Sequence, residues 1–160
     1  MVAPLYSRRE VSDAEAAQES FLIVEARGEL YAVRWGIVRE AGVLLQSGID
    51  VSTHTPTVER DGVEFPVVQL RELVGLSLPE SAPEEISAVF LEEGESRVVL
   101  VPDRILWKQK ASLEELPSWI KRAPAVAGAI ALSSGVVVVV LEPLRWRPSE
   151  QKEDPNVAVA

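Results

Sequence analysis

From residue 123 to residue 141 the chain carries no charged side chain. A stretch this long must be hidden from water, either in a bilayer or inside a folded core. Its length is close to the roughly 20 residues that a spanning helix requires. Pro124, the Ser133-Ser134-Gly135 break at the midpoint and five consecutive valines from Val136 to Val140 all oppose that helix, since valine is stiff in a helix and suits a pleated sheet. The stretch therefore reads as a hairpin of two strands, 126–132 and 136–141, buried on both faces, with no direct membrane insertion.

The same pattern of short β-rich runs and tight turns recurs along the chain. Residues 21–25 and 30–35 meet at Arg27-Gly28-Glu29, where glycine supplies the positive φ of a hairpin turn. Residues 37–45 read as a strand bent or bulged at Gly42. Residues 58–65 alternate around Asp61-Gly62, the dipeptide best suited to a two-residue type I′ turn. Pro66 has no N–H to donate, which places it at a sheet edge or bulge. Leu70, Leu73 and Val74 have helical spacing and Gly75 ends that segment as a C-cap. Residues 86–91 and 97–101 flank Glu93-Gly94-Glu95, and Pro102-Asp103 closes this hairpin. Residues 105–108 either extend the sheet or form one helical turn. Ser112 and Glu115 have capping-box spacing with Leu113, Leu116 and Ile120 on one face, so a short helix limited by Pro117 is expected there.

These elements point to an all-β chain built as two small β-barrel lobes packed together, with a sandwich as the alternative. The acidic loop 77–85, with Pro79 and Pro83, is the expected lobe boundary. Residues 1–19 form an N-terminal extension, 20–146 the domain, and the polar stretch 147–160 a disordered tail.

Composition narrows the chemistry. With 16 basic against 25 acidic residues, the net charge of −9 argues against nucleic acid as a partner. Cysteine is absent and His54 is the only imidazole, which excludes Cys-His nucleophile pairs and zinc sites of several Cys or His ligands. His54 lies in a polar run and reads as a solvated loop residue. The adjacent acids Glu84-Glu85, Glu92-Glu93 and Glu114-Glu115 flank turns or begin helices, as solvated acids do. No glycine cluster forms a phosphate-cradling loop or dinucleotide fingerprint, so no cofactor is expected. Residues 1–20 include Arg8, Arg9, Glu10 and Asp13 and lack a continuous apolar core. The chain is accordingly read as cytoplasmic. Of the four tryptophans, Trp35 and Trp107 are expected in the core, and Trp119 and Trp146, with basic neighbours, partly exposed.

The order of elements across 21–146 resembles the CheW-like domain of chemotaxis coupling proteins. Phe65-Pro66-Val67-Val68-Gln69-Leu70-Arg71-Glu72-Leu73-Val74-Gly75-Leu76 is similar to the family's Ile-Pro-Val-x-Asp-Leu-Arg-x-x-Leu-Gly-Leu segment. Val99-Leu100-Val101-Pro102-Asp103-Arg104-Ile105 resembles its strand ending in Val-Asp-x-Val. Val126-Ala127-Gly128-Ala129, followed by residues 135–141, resembles its closing Gly-containing pattern. The resemblance implies two five-stranded barrels around a shared apolar seam and no catalytic residues. It also implies an adaptor that bridges the regulatory domain of a chemotaxis-type histidine kinase to the cytoplasmic tip of a chemoreceptor. A degenerate scaffold of the same fold, binding another regulatory protein, is the alternative. Arg60, Asp61, Gly62, Val38 and Gly128 are the partner-contact positions it suggests. One departure stands out: where the family has Asn-x-Arg-Gly, this chain has Glu59-Arg60-Asp61-Gly62, so an anion occupies the arginine position.

Overall fold

The computed structural model describes residues 18–52, 54–116 and 125–146. Most of the N-terminal extension, the tail 147–160, Pro117, Trp119 and Ile120 lie outside the described residues. Among these described residues ten strands run β1 Gln18–Ala26, β2 Glu29–Arg34, β3 Val38–Leu45, β4 Thr57–Arg60, β5 Val63–Gln69, β6 Glu85–Glu93, β7 Ser96–Val101, β8 Arg104–Ser112, β9 Val126–Ala131 and β10 Val137–Leu141. A single helical turn, α1 Leu70–Leu73, follows β5, and a 3₁₀ turn, Pro143–Arg145, follows β10.

The strands form two five-stranded sheets, ordered β8-β1-β2-β10-β9 and β3-β6-β7-β5-β4. Both have the same plan. A central hairpin (β1β2 or β6β7) joins a second hairpin (β9β10 or β4β5) through a parallel pair, and an antiparallel outer strand (β8 or β3) flanks it. Each sheet curls until its outer strands meet. Glu114 and Ala129 exchange backbone hydrogen bonds of 2.8 and 2.9 Å to close the first lobe, and Asp50 and Thr57 exchange bonds of 2.7 and 2.9 Å to close the second.

The boundary expected at 77–85 is not a lobe boundary. That loop separates two halves of the sequence, β1–β5 and β6–β10, but each half sends its first hairpin into one lobe and its remaining three strands into the other. The lobes are thus interlocked, and the chain crosses between them after β2 and after β7.

Burial follows this plan with a period of two. Phe21 and Ile23 of β1 fill the first lobe with Ala32, Ile130, Val138 and Val140. Phe65, Val67, Ile86, Phe90, Val99 and Val101 fill the second. The alternate residues Leu22, Val24, Ala26, Val89, Leu91, Val98 and Leu100 form a third core with Val33, Val68, Leu70 and Leu141, which is the seam between lobes. The exchanged hairpins are therefore covered on both sides, which explains why β1, β6 and β7 read as near-continuous apolar runs.

Several local expectations hold in detail. Arg27 and Gly28 (φ 51° and 82°) and Asp61 and Gly62 (55° and 79°) are both left-handed, as a type I′ turn requires. After α1, the Leu76 N–H donates to Arg71 C=O and the Gly75 N–H to Glu72 C=O, the Schellman pattern with Gly75 at φ 81°. Pro66 lies where β5 changes partner: the Val67 N–H bonds to Pro56 C=O, so Pro66 falls at a non-bonded position opposite Thr57, and pairing with β7 starts at Val67.

Others are corrected. The bulge of β3 lies at Arg39, where the register slips between Val38 and Glu40, while Gly42 pairs regularly with Ala88. Ser112 does not cap a helix; it ends β8 opposite Gln18, and Glu114 bridges Ala129, so strand pairing overrides the local capping pattern. Val136 and Val137 are exposed, so β10 is not buried on both faces at its start. Trp35 and Trp107 are 38% and 43% exposed rather than core. Lys108 Nζ lies 4.6 Å over the Trp35 ring and the Trp107 indole N–H donates to Gln109 Oε1 at 2.9 Å, so both rings are held by polar neighbours on the outer surface.

Candidate docking surface

Three of the suggested contact residues come together at the β4–β5 turn of the second lobe. Arg60 and Arg39 lie over the end of that lobe's core, where Phe65 and Phe90 meet edge to face with centroids 5.2 Å apart. The Arg60 guanidinium is 4.6 Å from the Phe90 centroid and that of Arg39 is 5.8 Å from Phe65. Arg60 Nη1 donates to Glu40 Oε2 at 2.9 Å, and Arg39 Nη1 donates to Glu92 Oε1 at 3.0 Å. The barrel end is therefore an aromatic pair capped by two cations, each neutralised by a carboxylate.

Asp61 stands at the rim of this cap. Its carboxylate is 3.6 Å from Arg39 Nη2, and its side chain is 72% exposed. The anion at the family's arginine position is thus paired within its own lobe. An exposed pair of this kind contributes at most about 1 kcal/mol to folding. Gly62 provides the second left-handed turn residue and leaves open space around its Cα.

The other two suggested residues lie elsewhere. Val38 is half-buried opposite Leu91 and packs against the seam core. Gly128 is buried in β9 of the first lobe, where a Cβ would lie 2.5 Å from the Glu114 backbone oxygen. Its geometry serves lobe closure. An open groove of about 1020 Å³ runs along the second lobe beside the 3₁₀ turn after β10, bordered by Val51, His54, Glu64, Leu78, Leu144 and Trp146. His54 is exposed on its loop, and among the described residues no cluster of three His, Asp or Glu side chains converges to hold a metal.

Sequence reading missed a polar clamp across the seam. Arg71 of α1 donates from Nε to Asp103 Oδ1 at 2.9 Å and from Nη2 to Oδ2 at 2.7 Å, a two-pronged pair. The Arg27 N–H, in the β1–β2 turn, also donates to Asp103 Oδ2 at 2.9 Å, and the Asp103 N–H donates to Glu25 C=O at 2.8 Å. One carboxylate therefore joins α1 of the second lobe, the crossing after β7 and the first hairpin. The signal was present, since Arg71 and Asp103 each lie in a family-like segment, but 32 residues separate them and nothing local pairs them.

The Arg71 fork, with the Arg27 N–H, holds the Asp103 carboxyl below its ordinary pKa of 3.8. A depressed carboxyl pKa adds stability above the unfolded value, and that stability is lost as pH falls through the folded value. Asp103→Asn is therefore expected to lower the thermal midpoint by about 2–4 °C at pH 7, a size set by partial solvent screening. The gap to the parent should stay constant down to about pH 4 and close below it. A pH-independent gap in thermal scans would mean that the carboxylate charge plays no part.

Two curled five-stranded sheets locked by exchanged hairpins, one of them capped by Arg39 and Arg60 at its barrel end, define a two-lobed β protein. The CheW-like domain model matches residues 20–147, and the chain belongs to that family. In fold it is similar to the scaffolding protein TtCheW from Thermoanaerobacter tengcongensis, with a TM-score of 0.62 and 14% identity over 77% of this chain and 88% of that one. No curated protein sequence matches it. No helix of the described residues is long and apolar enough to cross a membrane.

Proposed function

We propose that this chain is a non-enzymatic, cytoplasmic signalling adaptor that couples the regulatory domain of a chemotaxis-type histidine kinase to the cytoplasmic tip of a chemoreceptor. The observation that carries this reading is the family match across the whole interlocked two-lobe unit. The capped barrel end at Phe65 and Phe90, rimmed by Arg39, Arg60 and Asp61, supplies a compact surface of mixed charge, which suits a specific and reversible contact. The groove beside Trp146 offers a second surface, so one chain has room for two partners.

Asp61 favours a second reading, a scaffold of the same fold that binds another regulatory protein without kinase–receptor coupling. A receptor surface built to meet a cation would meet an anion here. Calorimetric titration against the regulatory domain of the co-encoded kinase and against the receptor tip separates the two. The adaptor reading expects saturable binding to both, with Asp61→Arg shifting receptor affinity by about tenfold through one exposed charge and leaving kinase affinity unchanged. Binding to neither would transfer the chain to the second reading.

A further inference from the structure

The outer strand of the second lobe is an unguarded edge. Among the described residues β3 pairs only with β6, and its hydrogen-bond parity follows from the Gln46 N–H bonding to Glu84 C=O one position beyond the Leu45–Glu85 pair. Gly42 and Leu44 therefore bond to β6, while Ala41, Val43 and Leu45 turn their N–H and C=O groups outward. Among the described residues none hydrogen-bonds these outward groups. Lobe closure does not cover them either, because the Asp50–Thr57 bridge forms only after the 3₁₀ turn Gln46–Gly48.

Edges of this kind are normally blunted by lysine, proline, a bulge, an inward charge or a cover, and the bulge of β3 at Arg39 lies before the segment from Ala41 to Leu45. From Ala41 to Leu45 the edge has no charge and no proline. Val43 and Leu45 are 66% and 52% exposed.

We propose that β3 pairs with β3 of a second copy of this chain, antiparallel about a two-fold axis at Val43. The outward groups are self-complementary, so they suit a second copy and set the register. They are symmetric about Val43, so Val43 faces its own copy and Ala41 faces Leu45 in both directions. Each facing pair exchanges two backbone hydrogen bonds, which uses every outward group from Ala41 to Leu45. A shift of the axis by one residue to either side leaves some of them unpaired.

Side chains agree with this register. Val43 meets Val43, and Leu45 lies opposite the small Ala41, so the exposed apolar groups are covered together. Arg39 falls opposite Ser47 and Glu40 opposite Gln46, so no like charges are placed across the pair. The interface is isologous and closes on itself, giving a dimer rather than a fibre. It is independent of the adaptor reading, since both partners are the same chain. The net charge of −9 on each copy opposes the encounter, so association should strengthen as salt rises.

The test is sedimentation equilibrium of the full chain over a wide concentration range. The parent is expected to show a monomer–dimer equilibrium. Val43→Lys places two cations at the axis and should weaken dimerisation by at least tenfold, and Val43→Glu should do the same. An equimolar mixture of the two should recover the dimer as a heterodimer, which a folding defect cannot produce. Because the chain lacks cysteine, Val43→Cys introduces a unique thiol. A short bis-maleimide should join two copies at Cys introduced there and not at Val137→Cys, whose site is equally exposed at 66%. A parent that stays monomeric throughout, or a mixture of the Lys and Glu variants that does not pair, would overturn the proposal.

Discussion

Leu100→Ala is expected to remove about 3 kcal/mol of unfolding free energy, and to do so within one cooperative urea transition. Leu100 is fully buried in β7 and points into the seam core, among residues contributed by both lobes. Truncation there loses the transfer free energy of the removed methyl groups and leaves a cavity that walls from two sheets must relax to fill. The single transition is the more informative half of the prediction. Each lobe borrows its central hairpin from the other half of the sequence, so neither can assemble from a contiguous stretch of chain. Loss of seam packing should therefore lower the urea midpoint measured by tryptophan fluorescence and by circular dichroism to the same extent. Two separated transitions, one per lobe, would show that the lobes melt independently and that the seam does not couple them.

The hairpins were legible in the sequence because their determinants are local. Arg27-Gly28, Asp61-Gly62 and Glu93-Gly94-Glu95 each place glycine where the turn needs it, and the flanking runs alternate or stay apolar as their burial demands. Gly75 ended α1 for the same reason: a left-handed residue there satisfies two carbonyls within one turn of helix. The strands β9 and β10 were also legible, since valines after a Ser-Ser-Gly break favour a strand over a helix.

What the sequence concealed was non-local. The loop 77–85 carries all the marks of a boundary and is one, but between halves of the sequence rather than between lobes. No local signal reports that β1β2 and β6β7 have been exchanged. Composition points to Gly42 for the bulge, whereas it lies at Arg39, beside the guanidinium's contacts with Glu92 and Asp61. Residue type alone places Trp35 and Trp107 in the core, whereas both are part-exposed beside their polar neighbours Lys108 and Gln109. Of the candidate contact residues, Arg60, Asp61 and Gly62 were found together because one turn holds them. The partners of the first two, Glu40 and Arg39, come from β3, about 20 residues earlier, where only folding could bring them near.

Gly128→Ala is expected to cost about 2 kcal/mol, although the change adds a single methyl group. The physical reason is the closure of the first lobe. Glu114 and Ala129 hold that lobe shut by exchanging two backbone hydrogen bonds, and the next residue, Gly128, lets the two strands approach. A Cβ at 128 would lie 2.5 Å from the Glu114 carbonyl oxygen and 3.0 Å from Leu113 Cδ1. The leucine side chain can turn aside, but the carbonyl belongs to the backbone and can yield only by stretching the bridge. The substitution should therefore lower the urea midpoint and speed hydrogen exchange at the Ala129 and Glu114 amides before it affects those of β6 and β7. Gly42→Ala is the matched control, because nothing lies within 4 Å of its added carbon and its backbone is ordinary strand. That control should change stability by no more than about 0.5 kcal/mol. Equal stability of the two variants would mean that the closing bridge contributes little and that the first lobe is held by its core alone.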